Sequence, residues 1–367
     1  MSRTEPRIVI SGGGTGGHIF PALAIADEVR RRVPSALIHF VGAQGRMEME
    51  RVPKAGYPIT GLDIRGFDRS AWHRNLGLPF RMLKSGIQSV RLLLSFKPDV
   101  VIGTGGYASG PVLAAAAWLG YRCLIQEQNS LPGLTNRWLG RKVDRVCVAY
   151  PGLERYFPAS KLRWLGNPIR EDLLRPLDRT TALTHFGLEP DRPCLLVLGG
   201  SLGARSINRA VEAGLDTWLA SGLQVIWQTG KSYFGPLQER ITPRKGLWMQ
   251  AFVDDMASAY AAADGVLSRA GATTLSELAA LGKPSILVPS PNVAEDHQTH
   301  NARALSERDA AVLIPESEIE ARLTPTVLDW IQDRDLRNRM GHNAREWGRP
   351  LATQHIVDEV FTLISPA

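Results

Sequence analysis

The sequence predicts two α/β domains, each built on a doubly wound parallel sheet, and three observations carry that reading. Short apolar runs alternate with helical patterns through both halves, glycine-rich loops follow several of those runs, and the opening order of strand, glycine loop and helix returns near residue 194. At 367 residues the chain has room for two or three domains, and 44% hydrophobic with 22% charged residues is ordinary globular composition.

The first strand is the apolar run Arg7 to Ile10. It enters Ser11-Gly12-Gly13-Gly14-Thr15-Gly16-Gly17-His18, and a helix begins before Pro21-Ala22-Leu23. A loop with so few Cβ atoms lets backbone amides approach an anion, and the helix start behind it adds partial positive charge, so phosphate is the first ligand class it suggests. Gly12, Gly14 and Gly17 fit the dinucleotide fingerprint, but the second strand, Ala36 to Val41, ends in Gly42-Ala43-Gln44 without the ribose-binding carboxylate. Gly12 and Gly17 also fit P-loop spacing, yet His18-Ile19 stands where Lys and Ser or Thr are needed. A turn chosen for packing alone is the remaining alternative. His18 reads either as a general base, by its ordinary pKa, or as a helix-entry residue bonded to backbone.

Further strands are expected at Ile59-Leu62, Val100-Ile102, Cys123-Ile125 and Arg145-Val148. Two of their carboxyl ends run into polar or glycine-rich loops, Gly103-Thr104-Gly105-Gly106-Tyr107 and Glu127-Gln128-Asn129, where sites in such sheets form; Glu127 is the second candidate base. Between residues 75 and 97, Phe80, Leu83, Ile87, Val90 and Leu94 share one helix face and read as a buried stripe. Other apolar residues, Leu76 among them, spill beyond it between Arg81, Lys84, Arg91 and Lys97. That mixture fits a surface dipping into an anionic bilayer, or else a buried helix with a wet basic side; Trp118 and Arg141-Lys142 extend the patch.

Gly166-Asn167-Pro168 punctuates the chain, and Cys194 to Leu198 then runs into Gly199-Gly200-Ser201-Leu202-Gly203 and a new helix. Strands at Gln224-Trp227, Leu247-Gln250, Gly265-Leu267 and Ser285-Val288 alternate with helices near 273–281 and 296–306. After Thr324 the pattern is helical, with a last helix near 353–364. The expected domains are 1–165 and 166–349, with 350–367 crossing back onto the first. Glycine loops facing one another across a cleft between such domains suit an elongated ligand.

Within the second domain, Ser268-Arg269-Ala270-Gly271-Ala272-Thr273-Thr274 opens a helix whose hydroxyls and amides suit a phosphate, and Glu277 in its first turns can accept both hydroxyls of a ribose. Thr274 and Glu277 also have capping-box spacing. Arg269, placed after a buried strand, calls for an anion, because desolvating an unpaired guanidinium is costly. Asp296-His297-Gln298 offers the polar groups a sugar needs, or an ordinary helix start.

Composition narrows the partners. Cys123, Cys147 and Cys194 are widely spaced inside apolar runs and read as buried thiols, and the chain has neither a secretory h-region nor an ~18-residue apolar span. Net charge +7 favours an anionic partner, but dispersed basic residues and 7% aromatics point away from nucleic acid. Asp333-Arg334-Asp335 matches a metal-binding DxD pattern but lies in a charged helical stretch without a preceding strand; His18, His297 and His300 lack ligand spacing, so no metal is expected.

Taken in order, Gly13 to Leu23, Gly103 to Tyr107, Glu127-Gln128-Asn129 with Pro132 to Asn136, Gly166-Asn167-Pro168, Gly199 to Ala204, Ser268 to Ala272 and Asp296-His297-Gln298 make the sequence resemble the MurG family over nearly its whole length. The resemblance implies a GT-B fold, two Rossmann-like domains facing across a cleft. It implies a peripheral enzyme on the cytoplasmic face of the bacterial cell membrane that needs no cofactor. The implied reaction moves GlcNAc from UDP-GlcNAc, with inversion, to the 4-hydroxyl of MurNAc in undecaprenyl-diphospho-MurNAc-peptide (lipid I), giving lipid II for peptidoglycan. By the same resemblance Val253 meets uracil through its backbone, Glu277 the ribose, Ser201 and Thr274 the diphosphate, and His297 and Gln298 the sugar. Arg170, Gly200, Arg269, Ala272 and Thr273 complete the donor side, joined by Thr15, Gly16, Gly17 and Asn129 of the first domain. Gly13, Gly14 and Tyr107 face the acceptor; Leu76, Phe80, Arg81, Leu83, Lys84, Trp118 and Lys142 face an anionic membrane. Leu202, Ala270 and Glu295 depart from the family's usual residues. A UDP-GlcNAc 2-epimerase, or a transferase with a soluble acceptor, is the alternative.

Overall fold

The computed structural model describes residues 5–66, 77–200 and 202–365. Leu76 and Ser201 lie outside the described residues. The chain divides into two compact units, Met1–Ile169 with Leu351–Ala367, and Arg170–Pro350.

In the first unit the order is β1 (Arg7–Gly12), α1 (Gly16–Arg32), β2 (Leu37–Ala43), α2 (Glu48–Lys54), β3 (Ile59–Leu62), α3 (Leu78–Phe96), β4 (Val100–Gly105), α4 (Ser109–Trp118), β5 (Arg122–Glu127), α5 (Leu134–Leu139), β6 (Arg145–Val148) and β7 (Leu162–Trp164). All seven strands are parallel in the order β3-β2-β1-β4-β5-β6-β7, so the winding reverses between β1 and β4. The apolar runs of β1, β4, β5 and β6 are buried because both faces are covered. Ile8 and Ile10 of β1 pack into the core under α1, whereas Val9 between them enters the core under α3 and α4, the period-two division of a strand. Residues 162–164, which the sequence presents only as a break, form the edge strand: Leu162, Arg163 and Trp164 pair with Val146, Cys147 and Val148.

The second unit contains α6 (Arg179–His185), β8 (Cys194–Leu198), α7 (Arg205–Ala220), β9 (Gln224–Gln228), α8 (Lys231–Arg240), β10 (Leu247–Gln250), α9 (Met256–Ala262), β11 (Gly265–Ser268), α10 (Ala272–Leu281), β12 (Ser285–Leu287), α11 (His297–Ser306), β13 (Ala311–Leu313), α12 (Ile319–Gln332) and α13 (Arg334–Trp347). Its parallel sheet runs β10-β9-β8-β11-β12-β13, reversing between β8 and β11. Trp218, Trp227 and Trp330 fill the core on the α7 and α12 side, and β13 is an edge strand the sequence did not announce. Asp333 of the DxD triplet caps α13, its Oδ1 accepting the Leu336 amide at 2.8 Å, which accounts for that carboxylate without a metal.

The last helix, α14 (Ala352–Ile364), belongs to the first unit. Its Ile356, Val357 and Val360 join the core under α1, while Asp358 pairs with Arg32 and Glu359 with Arg145. Gly166-Asn167-Pro168 also belongs to this unit rather than heading the second: Asn167 Oδ1 accepts from Gln126 Nε2 at 2.7 Å, and its Nδ2 donates to the Gln128 carbonyl at 3.0 Å.

Candidate active site

Both sheets put polar loops at the carboxyl ends of the strands flanking the winding reversal, where parallel sheets leave room for ligands. In the first unit the loop after β1 and the loop after β4 interlock. A Cβ on Gly106 would lie 2.2 Å from the Gly13 carbonyl oxygen, so only glycine permits the approach. Thr104 Oγ1 donates to the His18 carbonyl at 2.8 Å, and Ser109 Oγ donates to the Ser11 and Gly105 carbonyls at 2.7 and 2.8 Å. Thr15 starts α1 without a side-chain capping bond, and no acidic residue follows in the first turn, so the amides of Gly16 and Gly17 are open to a ligand. His18, on that turn, lays its imidazole against the Cα face of Gly105. Tyr107 is half exposed, with its ring against Gly66 and near Gly14.

One expectation changes here. The Gly14 amide is not free for a phosphate, because it donates to Glu48 Oε2 at 3.0 Å, while Glu48 Oε1 accepts from the Ala43 amide at 3.0 Å. Sequence reading passed over Glu48; the three-glycine run one strand away was the only hint that something must approach closely.

Glu127 also has a different task from the one its position suggests. Its buried carboxylate accepts from the amides of Asn129 (3.0 Å) and Gly133 (3.1 Å) and from the side chains of Asn136 (2.9 Å) and Asn129 (3.3 Å). Burial raises its pKa and these four donors oppose the rise. With both oxygens engaged, Glu127 anchors the loop from Asn129 to Asn136, which leaves His18 as the remaining candidate base.

In the second unit, Glu277 receives a hydrogen bond from Tyr260 at 2.8 Å. Burial raises its pKa to about 7, opposed by that bond and by the charge of Arg170, an exposed side chain at the head of the unit. Thr274 and Glu277 do not form a capping box; the N-cap of α10 is Gly271, which offers no side-chain cap, and Thr273 and Thr274 follow in the first turn. The neighbouring loop after β8 is braced by Gln228, whose Nε2 donates to the Gly200 carbonyl at 3.2 Å and whose Oε1 accepts from the Val253 amide at 3.0 Å. A base read by the backbone of Val253 is therefore left with its carbonyl. Arg269 finds its anion inside the protein: its guanidinium bonds Glu316, the Val288 and Pro289 carbonyls and Ser206 Oγ, and so ties the β12 loop to α7. Ahead of α11, Glu295 and Asp296 both adopt left-handed backbone at φ 56° and 50°. Past this kink, His297 opens the helix and Gln298 Oε1 accepts from the Ser290 amide at 2.9 Å, which leaves its NH₂ group facing other partners.

The sequence matches the glycosyltransferase family 28 N-terminal domain over residues 8–148 and the glycosyltransferase family 28 C-terminal domain over residues 194–356. It is 49% identical over 361 residues, 98% of each chain, to the UDP-N-acetylglucosamine--N-acetylmuramyl-(pentapeptide) pyrophosphoryl-undecaprenol N-acetylglucosamine transferase of Parabacteroides distasonis. The protein of the same name from Christiangramia forsetii is 50% identical over 360 residues, again 98% of each chain. Among solved structures, Acinetobacter baumannii MurG superposes with a TM-score of 0.80 at 31% identity, covering 97% of this chain and 99% of that one. The chain belongs to the MurG family. Its two parallel α/β units are those of the GT-B fold, and as a MurG-family member it is a glycosyltransferase.

On α3 the expected burial is reversed at most of the stripe. Phe80 is 78% exposed and Leu83 65%, with Met82, Ile87 and Leu94 also exposed; the buried positions are Ser85, Ser89 and Leu93. Small residues explain it. Ser89 Oγ bonds back to the Ser85 carbonyl at 2.7 Å, and this narrow face packs on α4, whose Ala114 to Ala117 let the backbones close up. Of the stripe, Val90 packs partly buried on this core, and the other four residues face outward. Arg81 and Lys84 share Asp63 at 2.5 and 3.2 Å, so their charge is partly neutralised. Trp118, at the end of α4, is 79% exposed, and Lys142 lies 5.0 Å from the exposed Trp138 ring. Among the described residues no helix is long and apolar enough to cross a membrane.

Proposed function

We propose that this chain transfers N-acetylglucosamine from UDP-GlcNAc to the 4-hydroxyl of the MurNAc unit of lipid I, with inversion, releasing UDP and lipid II for peptidoglycan synthesis. The observation that carries the site assignment is Glu277: a carboxylate oriented by Tyr260 in the first turns of α10 is built to accept the two hydroxyls of a ribose next to a diphosphate at the helix start. On this reading Val253 meets the uracil, Gly200, Ser201, Thr273 and Thr274 the diphosphate, and His297 and Gln298 the sugar hydroxyls, with Arg170 adding positive charge. Thr15, Gly16, Gly17 and Asn129 contribute from the first unit, and Tyr107 meets the acceptor.

The chemistry divides between the units. His18 takes the proton of the acceptor hydroxyl as its oxygen bonds to the anomeric carbon; the bond from that carbon to UDP breaks, and the charge growing on UDP is stabilised by helix-start amides. The acceptor is a lipid, and the exposed apolar stripe of α3 flanked by Arg81 and Lys84, together with Trp118 and Lys142, suits docking on the anionic cytoplasmic face of the cell membrane.

Purified protein should release UDP from UDP-GlcNAc only when a short-chain lipid I analogue is present. Conversion of UDP-GlcNAc to its manno isomer without acceptor would make it an epimerase instead. Full activity of His18→Ala would remove His18 as the base.

A further inference from the structure

We propose that Glu48 is a positioning residue of this enzyme: it supplies a built-in anion that fixes the first glycine loop and so aims His18. The inference rests on the reading of His18 as base. Glu48 opens α2 and is completely buried, yet its two oxygens serve backbone amides at two different strand ends, Ala43 at the end of β2 and Gly14 after β1. Charge-assisted bonds of this kind are the strong ones, and a buried carboxylate is retained only where such donors compensate it. The space around it is shaped to match. A Cβ on Gly13 would lie 2.2 Å from Glu48 Oε1, and one on Gly42 would lie 2.5 Å from its Cγ. Both glycines are therefore required by the side chain lying across them, which explains a glycine at the end of β2 where no ligand reading needs one.

On its other side the loop is held by the β4 loop and by Ser109 at the start of α4, whose Oγ donates to the Ser11 carbonyl. Gly106 abuts the Gly13 carbonyl, and Thr104 Oγ1 bonds the His18 carbonyl. Glu48 is the clamp on the β2 side: it holds the amide of Gly14, a residue at φ +84° four positions before His18. Gly14 can swing between backbone states at little cost, so without the carboxylate the loop gains freedom where the imidazole must be still.

The test compares Glu48→Gln, Glu48→Asp and Glu48→Ala with the wild type. Glu48→Gln keeps the volume but sets an NH₂ group against one of the two amide donors; Glu48→Asp keeps the charge but falls one methylene short. Both should lower kcat on the order of 10- to 100-fold, a larger loss than any rise in the UDP dissociation constant or the acceptor KM. Hydrogen exchange should quicken in peptides covering Gly12 to Ile19 and stay unchanged in those covering β4 and β5, which checks the fold. Added formate should restore part of the activity of Glu48→Ala and none of Glu48→Gln, whose side chain still fills the space. A kcat close to wild type in Glu48→Gln, unchanged loop exchange in all three variants, or a loss that follows UDP affinity would each overturn the proposal. If His18→Ala remains active, the base assignment fails, and the loop exchange still judges Glu48.

Discussion

Donor affinity should depend on pH through Glu277. The unliganded carboxyl has a pKa of about 7, raised chiefly by burial, and only its ionised form can accept both ribose hydroxyls. The sign follows: affinity rises with pH through 7 and levels off above it. Between about pH 8 and about pH 6 the ionised fraction drops from roughly nine-tenths to one-tenth, so the dissociation constant should rise about tenfold. UDP-GlcNAc is the right probe, because both its phosphates are diesters whose charge is constant over this range. Calorimetry in buffers of different ionisation enthalpy should also show about half a proton released per donor bound near pH 7. Glu277→Gln should bind weakly and flatly across the range. The raised value has a second consequence: the folded state holds this proton more tightly than the unfolded chain, so its stabilising contribution is complete below about 4.5 and fades as pH rises through 7. The shift corresponds to at most about 3 kcal/mol, and Glu277→Gln should therefore melt higher than wild type at about pH 8. A wild-type affinity that is flat from about pH 6 to about pH 8 would refute the reasoning, as would a variant retaining the wild-type slope.

Two further outcomes follow from exposure and backbone strain. Phe80→Ser combined with Leu83→Ser should weaken pelleting with phosphatidylglycerol vesicles about tenfold or more, since each side chain contributes roughly 1–2 kcal/mol of burial, while the melting temperature holds because both face solvent; unchanged pelleting would remove α3 as the docking face. Glu295→Asn should raise the melting temperature by a few degrees, because asparagine tolerates the left-handed region and relieves about 1 kcal/mol, and a scanning calorimeter reads this directly; a lower melting temperature would show that φ 56° is not strained at this site.

Periodicity made most of the scaffold legible. Continuous apolar runs such as Cys194–Leu198 and Val100–Ile102 are strands because both sheet faces are covered, and the glycines after them mark the carboxyl ends. Two three-residue edge strands, β7 and β13, escaped: unlike the equally short β12, which is buried throughout, Leu162–Trp164 is interrupted by Arg163 and Ala311–Leu313 is only partly buried. The stripe of α3 misled for a physical reason. Amphipathicity identifies an apolar face but not what covers it, and here Ser85 and Ser89 made the tighter contact with α4. Site chemistry was least legible where a side chain serves backbone far away in sequence. Glu48 lies 34 residues from the Gly14 amide it binds, and Gln228 lies 25 from Val253; no local spacing announces either. Arg269 was read correctly as needing an anion, but Glu316, 47 residues on, meets the need.

The two glycine loops occupy the same topological place, after the strand at which each sheet reverses, yet their amides are not equally available. In the first unit a carboxylate lies against the loop and takes the Gly14 amide. A second anion approaching Gly13-Gly14 would meet that negative charge at close range in a site shielded from water, where like charges repel strongly. In the second unit the brace is neutral and bonds the loop's carbonyl: Gln228 donates to Gly200 O, as does the Gly203 amide at 3.1 Å, and neither consumes the amides of Gly200 or Leu202. Those donors, with the uncapped start of α10 beside them, suit a diphosphate, whereas the first loop suits a neutral hydroxyl brought to an imidazole. On the proposed reading the same backbone device serves two purposes, separated by the charge of a neighbouring side chain: Glu48 at the start of α2 in one unit, Gln228 at the end of β9 in the other.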